Sequence, residues 1–289
     1  MSRFMLLNID EPKIDQEIPE AKTLADKWTL NSVNRYIKTV DESLNDFQFS
    51  MAGEALRSFT WDQLADWYLE IAKIEGEKSE ILNYILNTIL KLWHPFMPFV
   101  TEAIWQEVYG EKNMLMVEKW PEHKKENIVC DDDLYLSGYT LMKEVVTGIR
   151  SLKADYKIDP VTKLNVVISA GDKKDMFEEN TEVIKKLARL EELEIHESID
   201  KPAQAVSFVE GGVEVFINLE GVVDFDKEKG RLKKEIDELS KYVSVQDKKL
   251  GNVGFVDNAP EEVVVQEKEK LAVAREKLSK LQGQLETLQ

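Results

Sequence analysis

The sequence predicts a mainly α-helical protein that carries a small α+β unit and closes on an antiparallel coiled-coil hairpin. Three observations carry that expectation. Apolar residues recur every three or four positions along most of the first 155 residues, the period of a helix face. Between about residues 163 and 218 the rhythm shortens to alternation, the period of a half-buried strand. From residue 226 onward apolar positions repeat in steps of three and four, the heptad signature.

A chain of 289 residues can bury a core in more than one domain, and 43% hydrophobic with 9% aromatic content excludes general disorder. The single cysteine, Cys130, cannot form an intramolecular disulfide, which suits a reducing compartment. No apolar run reaches transmembrane length and no signal-peptide pattern opens the chain, so a cytoplasmic protein without a membrane partner is expected. The net charge of −17 runs against a basic nucleic-acid footprint, but it is unevenly spread. Residues 226–289 hold 13 Lys+Arg and 13 Asp+Glu, so residues 1–225 carry the whole deficit and an anionic partner would favour the tail.

Residues 1–22 read as a lead-in, with Pro12 and Pro19 bracketing an acidic linker. Residues 23–127 read as a helical bundle. Thr23 to Asp26 has the form of a capping box opening a helix through Leu30, Val33, Ile37, Val40 and Leu44. A second helix runs from about Ser50 to Ala72, with Gly76 as its stop. A third passes Ile81, Ile85 and Ile89 into the corner Leu92-Trp93-His94-Pro95-Phe96-Met97-Pro98, and a fourth leaves through Trp105 to about Tyr109. Two prolines three residues apart force a stop and restart there, and Phe96, Met97, Phe99 and Val100 are expected to bury against the flanking helices. All six tryptophans (28, 61, 67, 93, 105 and 120) lie in this part. Aromatic side chains can stack on splayed RNA bases or fill a core, and their helical spacing favours the core.

Residues 128–225 read as a long helix, Asp131 to about Ala154, followed by the α+β unit: a strand at Lys163–Ser169, a helix at Asp175–Leu190, and β-rich runs at Glu194–Ser198, Ala203–Glu210 and Val213–Asn218. Gly211-Gly212 joins the last two as a hairpin turn. In residues 226–289, Leu232, Ile236, Leu239, Val243, Gln246 and Leu250 form one seam, and Leu271, Ala274, Leu278, Leu281, Leu285 and Leu288 a second. The breaker Gly251 to Pro260 between them makes a hairpin, a lever of about 35–40 Å if some 25 residues on each side are helical.

The sequence offers no catalytic or metal-binding constellation. His94, His123 and His196 lack ligand spacing, and His94 in the apolar corner reads as a hydrogen-bonded structural residue. No glycine-rich phosphate loop is present, and the acidic runs Glu191-Glu192 and Asp131-Asp132-Asp133 read as solvated charge. From the residues alone, a binding or lever module is expected.

The order of parts carries a resemblance. Thr23-Leu24-Ala25-Asp26-Lys27-Trp28, Asp66-Trp67-Tyr68-Leu69-Glu70, Leu92 to Trp105 and Trp120-Pro121-Glu122 resemble the anticodon-binding helical domain of the bacterial valyl-tRNA synthetases. Gly148-Ile149-Arg150, Ala203 to Leu219 and Leu219-Glu220-Gly221 continue the match. Lys249-Leu250, Asn252, Phe255-Val256 and Ala259-Pro260-Glu261 are similar to that family's C-terminal coiled-coil arm. The resemblance is to the C-terminal third only. The family's ATP-binding His-x-Gly-His and Lys-Met-Ser-Lys-Ser motifs are absent, and Lys277-Leu278-Ser279-Lys280 places its leucine in a heptad seam rather than on a mobile loop.

The resemblance implies a fragment that is inactive alone, with no catalytic residue, metal or cofactor of its own. The missing catalytic domain would use ATP and Mg to charge tRNA(Val) with valine. It implies binding of tRNA(Val) at the anticodon stem-loop by Asn31, Asn34, Arg35 and Lys38, with Arg57 and Lys73 beside them. The outer corner of the RNA would be met by the arm through Arg231, Lys234, Lys241, Lys248, Lys249 and Arg275. Three departures stand out: Ser32 where many members carry arginine, a short connector from Lys73 to Glu80, and Val253-Gly254 in place of more polar residues. A monomer is expected. Two alternatives stay open: a structural protein whose coiled-coil arm pairs with a partner, and the same region of an isoleucyl- or leucyl-tRNA synthetase.

Overall fold

A computed structural model describes residues 1–15, 17–124, 133–200, 202, 205–223, 225–251 and 261–287. Two units emerge: Met1–Thr147 with Glu179–Ala188, and Gly148–Glu178 with Arg189–Gln289.

The first unit is the helical bundle. Helix α1 (Ser2–Leu7) precedes α2 (Leu24–Asn45). Helix α3 (Phe49–Ser58) continues through wide π-helical turns (Phe59–Tyr68) into α4 (Leu69–Glu75). Helices α5 (Ser79–Trp93) and α6 (Pro98–Tyr109) flank the proline corner, and α7 (Asp133–Asp155) begins here. The capping box at α2 forms as expected: Thr23 Oγ1 accepts from the Asp26 amide at 3.3 Å, and Asp26 Oδ2 accepts from the Thr23 amide at 3.1 Å. Gly76 ends α4 with φ +67°, a left-handed turn open to glycine without cost. The apolar stripe Leu30, Val33, Ile37 and Val40 is buried, as are Leu56, Leu64, Ile85, Ile89 and Trp105. Each such aliphatic side chain contributes about 1.5–3 kcal/mol on burial.

Several expectations need correction. The proline corner does not bury all its apolar residues: Phe99 is 91% exposed, Met97 and Val100 are exposed, and Phe96 is half-buried. The cause is the phase of α6, which Pro98 opens and whose inward face passes through Thr101 and Trp105, leaving 99 and 100 outside it. His94 does find the structural partner expected, with Nδ1 2.8 Å from Thr101 Oγ1. Among the tryptophans, Trp28 and Trp105 are buried, Trp67, Trp93 and Trp120 half-buried, and Trp61 56% exposed on the π-helical turns. Nor is the lead-in simply a linker. Met5 is fully buried, α1 packs on α5, and the amides of Asn83 and Asn87 hold the carbonyls of Lys13 (2.8 Å) and Ile14 (3.1 Å).

The second unit is built on a four-stranded sheet in the order β2-β1-β4-β3. Strands β1 (Leu164–Ser169) and β2 (Leu190–His196) run parallel, while β3 (Ala205–Glu210) and β4 (Val213–Asn218) form the expected hairpin. Gly211 and Gly212 both have positive φ, the conformation a two-residue hairpin turn demands. The expected helix at 175–190 is two helices, α8 (Lys174–Glu179) and α9 (Thr181–Ala188), the latter belonging to the first unit, and β2 begins at Leu190 rather than Glu194. Arg189, at φ +53°, ends the helix and lets Leu190 pair with Leu164.

Where α7 crosses the sheet, Gly148 lets it approach Phe208 closely; a Cβ there would lie 2.4 Å from the ring. One turn beyond, the buried Lys153 donates Nζ–H to the carbonyls of Thr162 (2.8 Å) and Arg189 (2.9 Å).

The tail forms helices α10 (Phe225–Leu250) and α11 (Glu261–Thr287), packed side by side. Lys249 reaches Glu267 and Asp247 reaches Arg275, so later residues of α10 meet earlier ones of α11 and the two run in opposite directions. Leu232, Leu271, Ala274 and Leu281 are buried in the seam, and Ile236, Leu239, Val243, Gln246, Leu250, Leu278 and Leu285 are half-buried. The expected breaker at 252–260, Leu288, Cys130 and residues 125–132 lie outside the described residues.

Candidate nucleic-acid interface

Helix α2 supplies the first group of polar candidates. Arg35 and Lys38 are exposed, Asn31 is half-buried, and Ser32 is fully buried. Arg35 donates to Ser32 Oγ at 3.3 Å and Lys38 lies 3.8 Å from Glu42. Asn34 differs. It is 7% exposed and its amide is spent on both backbone groups of one residue: Nδ2 donates to the Lys124 carbonyl (3.0 Å) and Oδ1 accepts from the Lys124 amide (2.9 Å). Asn34 therefore pins the segment after Trp120 to α2 rather than offering its amide to solvent. Arg57 on α3 pairs with Glu54 at 2.8 Å, and Lys73 on α4 pairs with Glu70 while lying 5.3 Å from the Phe4 ring. These pairs are exposed and screened by solvent, so a phosphate can displace the carboxylate.

Sequence reasoning missed a cation of this unit held in another way. Lys143 on α7 lies 4.8 Å from the Trp67 ring, 5.4 Å from Trp28 and 5.9 Å from Tyr139, and Trp28 stacks on Tyr139 at 4.5 Å. Burial lowers the Lys143 pKa and pushes the Tyr139 hydroxyl far above its usual range. This cation ties α7 to the bundle through ring faces.

On α10 the candidates fall into a pattern. Lys234, Lys241 and Lys248 are exposed and stand seven residues apart, so they share one line along the helix. Lys227, which sequence reasoning passed over, extends the line by another seven and is exposed as well. The row spans about 30 Å. Its signal was in the sequence, as a heptad of lysines offset from the heptad of leucines. Lys241 pairs with Asp237 at 2.6 Å, which raises its pKa.

Arg231 pairs with Glu235 and lines a cleft of about 640 Å³ with Lys157, Tyr242 and Lys277. Lys249 and Arg275 instead bridge to the partner helix, at 2.9 Å to Glu267 and 2.7 Å to Asp247. Hydrogen bonds from Lys249 and Lys270 hold the Glu267 carboxyl down at about 2. No group of His, Cys, Asp and Glu able to hold a metal occurs among the described residues, and no helix there is long and apolar enough to cross a membrane.

The anticodon-binding domain of tRNA ligases matches residues 26–168, and the tRNA-binding arm of valyl-tRNA synthetase matches residues 224–289. Valine--tRNA ligase of Thermotoga maritima is 33% identical over 296 residues, covering 100% of this chain and 33% of that enzyme. The chain belongs to the valyl-tRNA synthetase family. Valine--tRNA ligase of Petrotoga mobilis is 35% identical over 99% of this chain and 34% of its own length. That of Bacillus subtilis is 33% identical over 93% and 32%. The chain thus spans about a third of the length of the curated valyl-tRNA synthetases it matches. Within the family match, the bundle lies in the anticodon-binding domain and the lysine row lies in the tRNA-binding arm.

Proposed function

We propose that this chain grips tRNA(Val) at two separated places and acts as the RNA-holding part of a cytoplasmic valine–tRNA ligase. The bundle takes the anticodon stem-loop through Arg35, Lys38, Arg57 and Lys73. Helices α10 and α11 act as a coiled-coil arm against the outer corner of the RNA, where the D and T loops meet. Charging of the RNA with valine, using ATP and Mg, belongs to the catalytic part of such an enzyme, and the chain works as a monomer.

The observation that carries this reading is the row Lys227, Lys234, Lys241 and Lys248. Evenly spaced cations on one exposed helix line suit a phosphate backbone, which positions RNA without reading sequence. The net charge of −17 confines attraction to such local rows and makes it short-ranged at moderate salt.

Filter binding of tRNA(Val) and of an unrelated tRNA across a salt series tests the proposal. Affinity should fall steeply with salt, and replacing Lys234, Lys241 and Lys248 together by glutamine should reduce the logarithmic slope by about two to three. Salt-insensitive retention, or none, overturns the reading. A dimer in sedimentation that Leu281→Asp dissociates would favour a protein-pairing arm instead.

A further inference from the structure

The bundle contains a second cleft, of about 690 Å³, which none of the residues considered so far explains. Ile37 of α2, Tyr84 of α5, and Trp120 with Pro121 give it apolar and aromatic walls. It sits where four separate segments meet: the lead-in is held by Asn87 of α5 on one side, and the chain after Trp120 is held by Asn34 of α2 on the other. Both clamps keep the walls apart at fixed spacing, so the cleft is a preformed feature and not a gap between loose loops. Its volume falls within the range of small-molecule sites, roughly 300–1,000 Å³.

Its charged lining defines what it can take. Lys91 is half-buried, desolvated enough to lower its pKa, and lies 5.4 Å from the Trp105 ring. Among the described residues it has no carboxylate at ion-pair distance, unlike Lys38, Lys73 or Lys241. The exposed Lys119 lines the same cleft. Lys124 adds a third cation, and Asp15, Glu17 and Glu122 are also in the lining, so a bare anion would meet repulsion as well as attraction. A ligand that satisfies all of these has a flat body for the rings, an anionic group for the lysines, and N–H or O–H donors for the carboxylates. A nucleotide has all three: a base, a phosphate, and exocyclic amine or ribose hydroxyl groups.

We propose that this cleft is a nucleotide pocket, in which a base rests against Trp120 and Tyr84 while its phosphate is met by Lys91 and Lys119. The favoured source is an unstacked nucleotide of the bound RNA, which rests on the tRNA-gripping reading above. A free mononucleotide carries the same chemistry and is separated by the test. Stacking on an aromatic face accepts any base, so the pocket adds affinity more than sequence preference.

The full chain, Lys91→Gln and Lys119→Gln are each titrated with UMP, CMP, AMP and GMP while tryptophan emission is followed, and each is assayed for tRNA binding across a salt series. Lys119 is exposed, so its substitution leaves folding intact; circular dichroism checks Lys91→Gln. The expected result is roughly 5- to 10-fold weaker tRNA binding for each variant, with a salt slope lower by about one. If mononucleotides saturate the wild type and Lys91→Gln abolishes this while tRNA binding is unmoved, the pocket stands and the RNA source is overturned. If the wild type binds tRNA and neither variant changes any titration, the pocket is overturned and the grip on RNA survives. If the wild type binds no tRNA, the grip fails and the mononucleotide titration alone decides the pocket: saturable, Lys91-dependent binding supports it and none overturns it.

Discussion

Two three-membered charge clusters in this molecule are mirror images in sign. In the bundle, one cation sits between two carboxylates: Lys78 Nζ is 2.7 Å from Asp26 Oδ2 and 2.7 Å from Glu75 Oε2. In the helix pair, one carboxylate sits between two cations: Glu267 is 2.9 Å from both Lys249 and Lys270. The first cluster is buried, with the side chains of Lys78 6% and Asp26 1% exposed, and the Tyr68 and Thr23 hydroxyls also donate to Asp26 (2.9 Å) and Glu75 (2.9 Å). The second lies between the helices of the pair, where Glu267 is itself only 11% exposed but the two lysines that bind it are 40% and 57% exposed. Burial, not sign or distance, separates their roles. Loss of the central residue strands two carboxylates inside the bundle, whereas in the helix pair it releases two lysines into water.

The sharpest way to break this contrast is Lys78→Met. It leaves the buried Asp26 and the half-buried Glu75 without their cation and should cost about 3–5 kcal/mol in urea unfolding. A loss below about 1 kcal/mol would mean that water reaches the cluster and the comparison is empty. Next in size, Tyr68→Phe removes one donor to Asp26 and should cost about 1–2 kcal/mol; the same measurement decides it. Burial, with Asp26 nearby, holds the Tyr68 hydroxyl protonated well above its ordinary range, so this cost should not change between pH 6 and 9. That interval lies below the tyrosine's usual pKa of about 10.

Glu267→Gln should lower stability far less than Lys78→Met and tighten tRNA binding a few-fold at low salt, since two lysines lose their internal partner. A variant that binds tRNA more weakly would mean that Glu267 holds Lys249 where the RNA needs it. The smallest effect is a pH dependence. Glu267 titrates at about 2 when folded against about 4.3 in a free chain. Its contribution is therefore complete above about pH 4.3 and disappears as pH falls toward 2. The thermal midpoints of wild type and Glu267→Gln should converge over that interval in circular dichroism, with the wild type higher above it.

Much of the fold was legible because its signals are local. The Thr23–Asp26 capping box, the stop at Gly76 and the Gly211-Gly212 hairpin each depend on residues within a few positions of one another. What stayed hidden depends on partners far along the chain. Phe99 reads as a core residue until the phase of α6 turns it out. Asn34 reads as a polar contact until its amide is seen clamping a peptide 90 residues away. The lysine candidates on α10 were legible as a group because an exposed helix line follows from periodicity alone. The cleft beside Trp120 was not, since its walls come from four segments that no spacing connects.

The π-helical stretch Phe59–Tyr68 has a consequence for how this chain can vary. A wide turn holds more residues than an α-turn over the same axial distance, so the stretch stores extra length inside a continuous rod. Removing one residue from it would let a wide turn close toward an ordinary α-turn and absorb much of the change locally, whereas the same deletion in α3 would rotate everything downstream by about 100°. There Tyr68 would swing away from Asp26, and Trp67 would leave the Lys143 ammonium. Single-residue deletions should therefore be better tolerated in the wide turns than in α3, and Trp61, which stands largely in water, should accept substitution freely.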